Sequence, residues 1–525
     1  MFVSVWKFEM TVLNFTKKWI KRMAVFLIAF VLILVLTALL TYKALPDHGA
    51  KSVSEHIKPN PQGAIASHLL PALAKEPQKS GIYPLANSRD AFLARLALIE
   101  TASQSIDLQY YIYHDDISGR LLSQRLLAAA DRGVRVRLLL DDHTMAGMDG
   151  VIAALDDHDN IEVRLFNPYM QRGFRPLGYL SDFFRLNRRM HNKSLTADSL
   201  VSILGGRNIG DEYFEATSGV MFADLDVAVV GKAVDEMASD FDRYWNSKSA
   251  YEARSIIGNV KAADLSGTSQ EAQGYIDLLT ESAFMKALQA GDLPFVWADA
   301  TLISDHPDKV IGKRQEDNIF AKHIAPLMSQ AQDELIIVSP YFVPTRQGER
   351  MLSTLAGSGK SVHVLTNTLA ANDVAVVHSG YAKYRKELLK NGVNLYELKD
   401  SATVKPAKVR GVYDGKGASL HAKTFTVDNR YLYVGSFNFD PRSANLNTEL
   451  GLLIDNPQLA SVLSQKLHED VRANVYEVKL DDHGKLHWYS QEDGQEVVSD
   501  KEPQSSLSRR IQVWIASRLP IEWLL

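Results

Sequence analysis

The sequence predicts an α/β protein in which two duplicated sandwich domains, each a sheet covered by helices, are related by pseudo-twofold symmetry and follow a single transmembrane helix. Three observations predict it. Short β-rich apolar runs alternate with helical patterns along most of the 525 residues, as sheets covered by helices require. Segments also recur at a nearly constant offset: DLQYYIY at 107 with IVSPYFV at 337, VRVRLL at 134 with VHVLTN at 362, IEVRLF at 161 with VNLYEL at 393, and His191 with His421. The offsets stay between 228 and 232 residues, whereas unrelated halves would drift. Finally, residues 23–42 read MAVFLIAFVLILVLTALLTY without a charge.

That run predicts the first element. Twenty helical residues span about 30 Å, enough for the hydrocarbon core of a bilayer. It exceeds the apolar stretch of a signal peptide, and no A-x-A cleavage site follows, so a retained anchor is expected. Lys17, Lys18, Lys21 and Arg22 crowd its amino side, which places residues 1–22 in the cytoplasm and the body outside the inner membrane. Residues 43–85 hold six of the 18 prolines and read as an extended linker.

The first domain is expected over 86–250, with a helix at 90–103, a strand at 106–113, a helix at 118–132 stopped by Gly133, and a strand at 134–141. Residues 251–310 have no counterpart in the repeat and read as a connector. The second domain is expected over 311–480, with a helix at 318–332, a strand at 335–343, a helix at 348–356 and a strand at 362–368. In the tail, 481–525, Leu507, Ile511, Trp514, Ile515 and Leu519 share one helical face. Such a face suits a bilayer interface or a helix packed on the protein's own core.

Composition narrows the functions. Hydrophobic residues make up 46% and charged residues 23%, excluding a disordered chain and a polytopic membrane protein. The net charge of −4 disfavours a general nucleic-acid binder. Cysteine is absent, which removes disulfides, thiolate metal sites and cysteine nucleophiles together.

The chemistry lies in HNKSLTAD at 191–198 and HAKTFTVD at 421–428. Both are H-x-K-x-x-x-x-D, at equivalent places in the two repeats. Downstream, Gly205, Gly206 and Asn208 align with Gly435, Ser436 and Asn438. On a strand, His191 and Lys193 face one way, as do His421 and Lys423, so each repeat would supply half of one site. Two imidazoles, two ammonium groups and the polar side chains of Asn208, Asn438 and Ser436 suit a phosphodiester. One imidazole attacks phosphorus, the other protonates the departing alkoxide, and the lysines and amides stabilise the nonbridging oxygens. No cofactor or metal is implied.

A nucleophilic imidazole needs its other nitrogen held by an acceptor. Asp224 and Glu449 occupy matching places downstream of the histidines and are the expected orienting acids, with Asp226 an alternative to Asp224. Asp198 and Asp428 belong to the catalytic motifs, but a carboxylate five residues after the lysine also suits a structural role at the strand-to-turn backbone.

With these motifs in place, the chain resembles the phospholipase D superfamily, whose paired HKD motifs stand here as HNKSLTAD with GGRN and HAKTFTVD with GSFN. The QYYI strand, the AADRGVRVRLLLDD stretch, NRRMHNKS and NTELGLLI most resemble bacterial cardiolipin synthases of the C type. The resemblance covers roughly residues 86–480. It implies two α/β sandwich domains sharing one site, metal-independent two-step phosphatidyl transfer, His191 as nucleophile and His421 as acid/base. It further implies phosphatidylglycerol as the acceptor, with phosphatidylethanolamine a donor.

Three rival functions remain open to a sequence of this kind: a phospholipase D releasing phosphatidic acid, a nuclease using Arg185, Arg188 and Arg189 against a polyanion, and a non-catalytic lipid-binding scaffold. The anchor and the net charge favour phospholipid over nucleic acid, and intact His and Lys in both motifs argue against a scaffold. The aromatic run Phe174, Tyr179, Phe183 and Phe184 suits an acyl-chain channel or a packed loop.

Overall fold

The structure, a computed structural model, describes residues 2–47, 52–216, 221–267, 269–280, 282–290, 293–314, 317–400, 418–469, 474–492 and 494–525. Two compact units divide the chain: Met1–Asp47 with Tyr169–Asn187, and His48–Pro168 with Arg188–Leu525.

In the smaller unit the anchor is longer than the apolar run alone suggested. One helix runs over Phe2–Thr41, and its part Lys18–Thr41 is long and apolar enough to cross a membrane. The side chains of Lys18–Thr41 are mostly exposed, as lipid-facing residues are. The segment Tyr169–Asn187 carries the helix Gly178–Leu186, and the Gln171 amide donates to the Thr41 carbonyl at the end of the anchor helix. Within the aromatic run, Phe174 and Phe184 are exposed, and the Tyr169 hydroxyl donates to Tyr179 at 2.7 Å.

The larger unit contains both repeats. In each, three parallel strands joined by crossover helices form the centre of a sheet: Ser105–Tyr110, Arg135–Asp141 and Ile161–Phe166 in the first, Glu334–Val338, Ser361–Asn367 and Asn394–Leu398 in the second. Each sheet then turns antiparallel through the strand that follows the histidine motif, Ser194–Ala197 or Thr424–Val427. Parallel strands covered on both faces need near-continuous apolar runs, and Ser105–Tyr110 is buried throughout. The helix Ile117–Asp131 ends as expected at Gly133, whose φ of +88° only glycine adopts without strain.

Two strands outside the recognised repeats stitch the halves together. Ser80–Leu85 pairs with Asp226–Gly231 of the first half and with Val296–Ser304, which in turn pairs with Leu450–Asp455 of the second. The expected linker and connector are therefore partly built into the sheet. Upstream, the linker also docks: the Ser54 amide donates to Asn246, His56 Nδ1 lies 2.7 Å from Asp242, and the buried Arg137 guanidinium reaches the Ser54 carbonyl. Proline-rich composition predicted an extended chain, but composition cannot show that buried arginines satisfy its backbone carbonyls.

One core runs across the seam, drawing Ile82, Val227 and Val229 from the first half and Val434, Leu452 and Ile454 from the second. Burying side chains of this kind is worth about 1.5–3 kcal/mol each, so the halves form one stable body. The second sheet also extends past the expected limit at 480, through Val475–Leu480, Leu486–Glu492 and Gln495–Ser499. The helix expected at 318–332 is irregular. A π-helical turn at Phe320–Ile324 leads into Ala325–Ser329, because Pro326 has no N–H to continue the ladder.

Candidate active site

The residues His191–Lys193 and His421–Lys423 do not lie within strands. Each triplet is the extended lead-in to one, Ser194–Ala197 or Thr424–Val427. The lead-in leaves backbone groups free to pair across the seam. Met190 bridges to Thr448, and the His191 amide donates to the Thr448 carbonyl at 2.9 Å. In the other half, Ala418–Leu420 pairs with Met221–Ala223, and the His421 amide donates to the Ala223 carbonyl at 2.8 Å.

This pairing decides where the acids go. Glu449 follows Thr448 and Asp224 follows Ala223, so each acid arrives beside the histidine of the opposite repeat. His191 Nδ1 lies 2.8 Å from Glu449 Oε2 and 3.1 Å from the Ser436 carbonyl, while His421 Nδ1 lies 2.6 Å from Asp224 Oδ2. Both expected acids thus lie against a histidine ring nitrogen, exchanged between repeats. Asp226, the alternative, is committed elsewhere: it forms a buried ion pair with Arg95 at 2.8 Å and accepts from the Arg207 amide.

With Nδ1 engaged, the Nε2 of each ring has no hydrogen-bond partner among the described residues. Each histidine side chain keeps 9% of its surface exposed, so both rings are largely buried yet reachable. Tyr111 meets the His191 ring edge-on at 5.0 Å, and Tyr213 and Phe222 flank His421 at 5.2 and 5.0 Å. These rings pack against the imidazoles, contacts that nothing in the spacing of the motifs announces.

Lys193 Nζ donates to the His191 carbonyl at 2.5 Å and sits over the Tyr111 ring. Lys423 Nζ donates to the His421 carbonyl and lies 2.9 Å from His421 Nδ1. Both ammonium groups are buried. Burial pushes Lys193 well down from its ordinary value, against the pull of Glu449, and lowers Lys423 to about 8.

The two carboxylates differ. Burial raises Asp224, but the charges of His421, Lys423 and Arg207 outweigh it and hold the acid at about 2. Burial dominates at Glu449 and pushes it up to about 7, despite Lys193 and the Ser436 hydroxyl. Both imidazoles are lowered by burial and by neighbouring lysines, His191 well below its usual range, while Asp224 resists the fall at His421.

Other expected site residues turn out to be engaged. The Ser436 hydroxyl donates to Glu449 Oε2 at 2.5 Å, and Asn208 bridges the Ile112 amide and the Tyr213 hydroxyl. In this structure they brace the acid and the ring rather than face a phosphate. Asn438 is buried, with its amide oxygen unpartnered; a phosphate oxygen would instead need its NH₂. Gly206 is dictated by close approach, since a Cβ there would land on the Asp224 carboxylate.

The Asp198 and Asp428 carboxylates bond backbone amides rather than either histidine. Each sits at positive φ in the turn after its strand and accepts consecutive backbone amides: Ser103, Gln104 and Ser105 at Asp198, Gln332, Asp333 and Glu334 at Asp428. They tie the turn to the start of the first parallel strand of each sheet, the structural role that a carboxylate five residues after the lysine also suited. Arg189, counted among possible polyanion grips, is buried in an ion pair with Asp141, and Arg185 pairs with Asp182.

Comparison with known proteins identifies the family. A family model described as "Cardiolipin synthase, PLD-like domain" matches twice, at residues 96–245 and 324–471, one match per repeat. Cardiolipin synthase C of Escherichia coli (strain K12) is 45% identical over 473 residues, covering 88% of this chain and 99% of that protein. A cardiolipin synthase of Oceanobacillus iheyensis is 25% identical over 399 residues, covering 76% of this chain and 70% of that one. The crystal structure of phosphatidylserine synthase from Haemophilus influenzae Rd KW20 shares the fold, with a TM-score of 0.51 at 16% identity over 78% of this chain and 91% of that one. The paired model match over more than half of the chain, with a histidine and a lysine of each half at one site, shows that the chain belongs to the phospholipase D-like family of the cardiolipin synthases.

Proposed function

We propose that this protein is a membrane-anchored phosphatidyltransferase that forms cardiolipin from two phospholipids through a phosphohistidine intermediate. The observation that carries the reading is the unequal treatment of the two histidines. His191 Nδ1 lies beside the Ser436 carbonyl as well as Glu449. A carbonyl can only accept, so Nδ1 keeps the proton and Nε2 holds the lone pair, the tautomer a nucleophile needs. His421 Nδ1 instead faces the ionised Asp224, which opposes the lowering of this ring by burial and Lys423 and so favours an imidazolium able to donate from Nε2.

In the first step His191 Nε2 attacks the donor phosphorus, the P–O bond to the headgroup breaks, and His421 Nε2 gives its proton to the departing alkoxide. In the second, His421 Nε2 takes the proton of a hydroxyl on phosphatidylglycerol. That oxygen attacks phosphorus, and the P–N bond to His191 breaks. Lys193, Lys423 and Asn438 stabilise the charge on the nonbridging oxygens in both steps. Phosphatidylglycerol serves as acceptor, and phosphatidylglycerol or phosphatidylethanolamine as donor, releasing glycerol or ethanolamine.

Transfer must outcompete water, so the site has to stay dry while the phosphohistidine waits. The low exposure of both histidines supports this. Purified full-length protein in liposomes carrying labelled phosphatidylglycerol is expected to yield labelled cardiolipin. Release of phosphatidic acid alone would replace the transferase by a phospholipase D, and release of nothing would sink both.

The role of Lys423 predicts a pH dependence. Its charged form is present below its pKa of about 8 and is lost as pH rises through that value. Since kcat/KM reports the free enzyme, it is expected to fall above about pH 8, and a flat profile up to pH 10 would remove Lys423 from the charge-stabilising role.

The basic residues before the anchor support an N-terminus in the cytoplasm and a periplasmic body. Protease added to spheroplasts should digest the body and spare the first residues. Protection of the body would reverse the orientation.

A further inference from the structure

The C-terminal helix Leu507–Ala516 turns the apolar face found in the sequence away from the protein. Leu507, Ile511, Trp514 and Ile515 are 65%, 49%, 58% and 49% exposed, and beyond the helix Leu519 and Trp523 are 50% and 49% exposed. The residues that hold the helix to the body lie on the opposite side. Val513 and Ala516 are buried there, and Arg509 donates to the carbonyls of Ala370 and Asn372. At 100° per residue these three positions cluster on one narrow face, with the exposed stripe roughly opposite.

The tail is fastened rather than loosely attached. The Arg442 amide donates to the Leu525 carbonyl at 2.7 Å, and its guanidinium donates to Leu524. The Glu522 carboxylate accepts the Tyr384 hydroxyl at 3.1 Å and pairs with Lys383. A Cβ on Gly380 would meet the Leu525 side chain at 2.9 Å, so helix and terminus fit the body closely. A fixed helix that leaves a broad apolar stripe in water is unfavourable unless something covers it.

We propose that this stripe docks the body on a lipid surface bearing anionic headgroups. The Arg518 guanidinium lies 3.6 Å from the centre of the Trp514 ring, and Arg510 flanks the stripe. Cations and indole rings at the margin of an apolar face match the headgroup boundary of a bilayer. The membrane-spanning helix supplies the occasion, because it keeps the body beside such a surface at high effective concentration.

The fastenings give the docking a consequence. The Ala370 and Asn372 carbonyls gripped by Arg509 precede Asp373, which accepts the Tyr341 hydroxyl at 2.7 Å and contributes to the field at Lys423. Arg442 follows the loop bearing Asn438. A helix seated in the headgroup layer would therefore hold two loops of the site against the bilayer.

The proposal does not depend on the reaction, and its test reads position alone. The chain contains no cysteine, so Ile511→Cys in the full-length protein takes a single environment-sensitive fluorophore. In vesicles of phosphatidylcholine with phosphatidylglycerol, the label is expected to shift to the blue. Quenching by doxyl-labelled lipids should be several-fold stronger than for the same label at Gln458→Cys, an exposed polar position. Replacing phosphatidylglycerol by phosphatidylcholine should weaken the effect. A label at 511 that stays solvent-like, or is quenched no more than at 458, overturns the proposal. So does protection that grows with protein concentration and ignores doxyl lipid, which would assign the stripe to a second copy of the chain.

Discussion

His421→Ala is expected to stop turnover while leaving phosphatidyl groups covalently attached to His191. The first step can still occur slowly, because a good leaving group or a water can substitute for the acid. The second has no base to deprotonate the acceptor hydroxyl. Removing a group that acts as acid and base typically costs about 10²–10⁴ in rate, and the loss here should lie at the upper end because His421 serves both steps. Peptide mass spectrometry should find the adduct at His191 in His421→Ala and no adduct in His191→Ala. An adduct on His421 in the His191 variant would exchange the two roles, and full activity in either variant would end the two-histidine scheme.

Asp224→Asn is expected to be far more damaging than Glu449→Gln. Asp224 is ionised and its carboxylate accepts from His421 Nδ1 at 2.6 Å. An asparagine there can present its NH₂ to the ring, impose the other tautomer and remove the charge that stabilises an imidazolium, a change worth about 10⁴ in kcat in comparable triads. Glu449 sits at about 7 and shares His191 Nδ1 with the Ser436 carbonyl. Glutamine keeps an acceptor oxygen, and the carbonyl still fixes the tautomer, so the loss should stay below about 10². Equal losses would mean that the two histidines are not differentiated by their acids, and the reverse order would make His421 the nucleophile. Circular dichroism and thermal melting of both variants separate these outcomes from loss of fold, since an unsatisfied partner left in a buried site costs about 1–3 kcal/mol.

The duplication, the anchor and the identity of the chemical groups were all legible in the sequence, for local reasons. A repeat shows itself by its own offset. An uncharged run of 20 residues has few uses outside a membrane. The H-x-K spacing brings imidazole and ammonium to one side of an extended chain whether or not that chain joins a ladder. The lead-in triplets therefore kept the predicted side-chain arrangement even though they precede the strands.

Long-range pairing was beyond reach of the sequence. Asp224 and Glu449 could be picked out as acids, but which histidine each serves depends on Thr448 pairing with Met190 and on Met221–Ala223 pairing with Ala418–Leu420. Those contacts join opposite repeats, and no periodicity encodes them. The motif carboxylates Asp198 and Asp428 have the spacing of catalytic groups, yet backbone amides about 95 residues away claim them. Amphipathicity has the same ambiguity: periodicity places Leu507, Ile511 and Trp514 on one face, but only the anchoring of Arg509 and Arg442 shows that this face looks outward. By itself the sequence determined which groups this protein brings to its chemistry, because residue type and local spacing are written along the chain. The tertiary structure decided how those groups are matched, because partners contributed by separate repeats meet only when the two halves share one core.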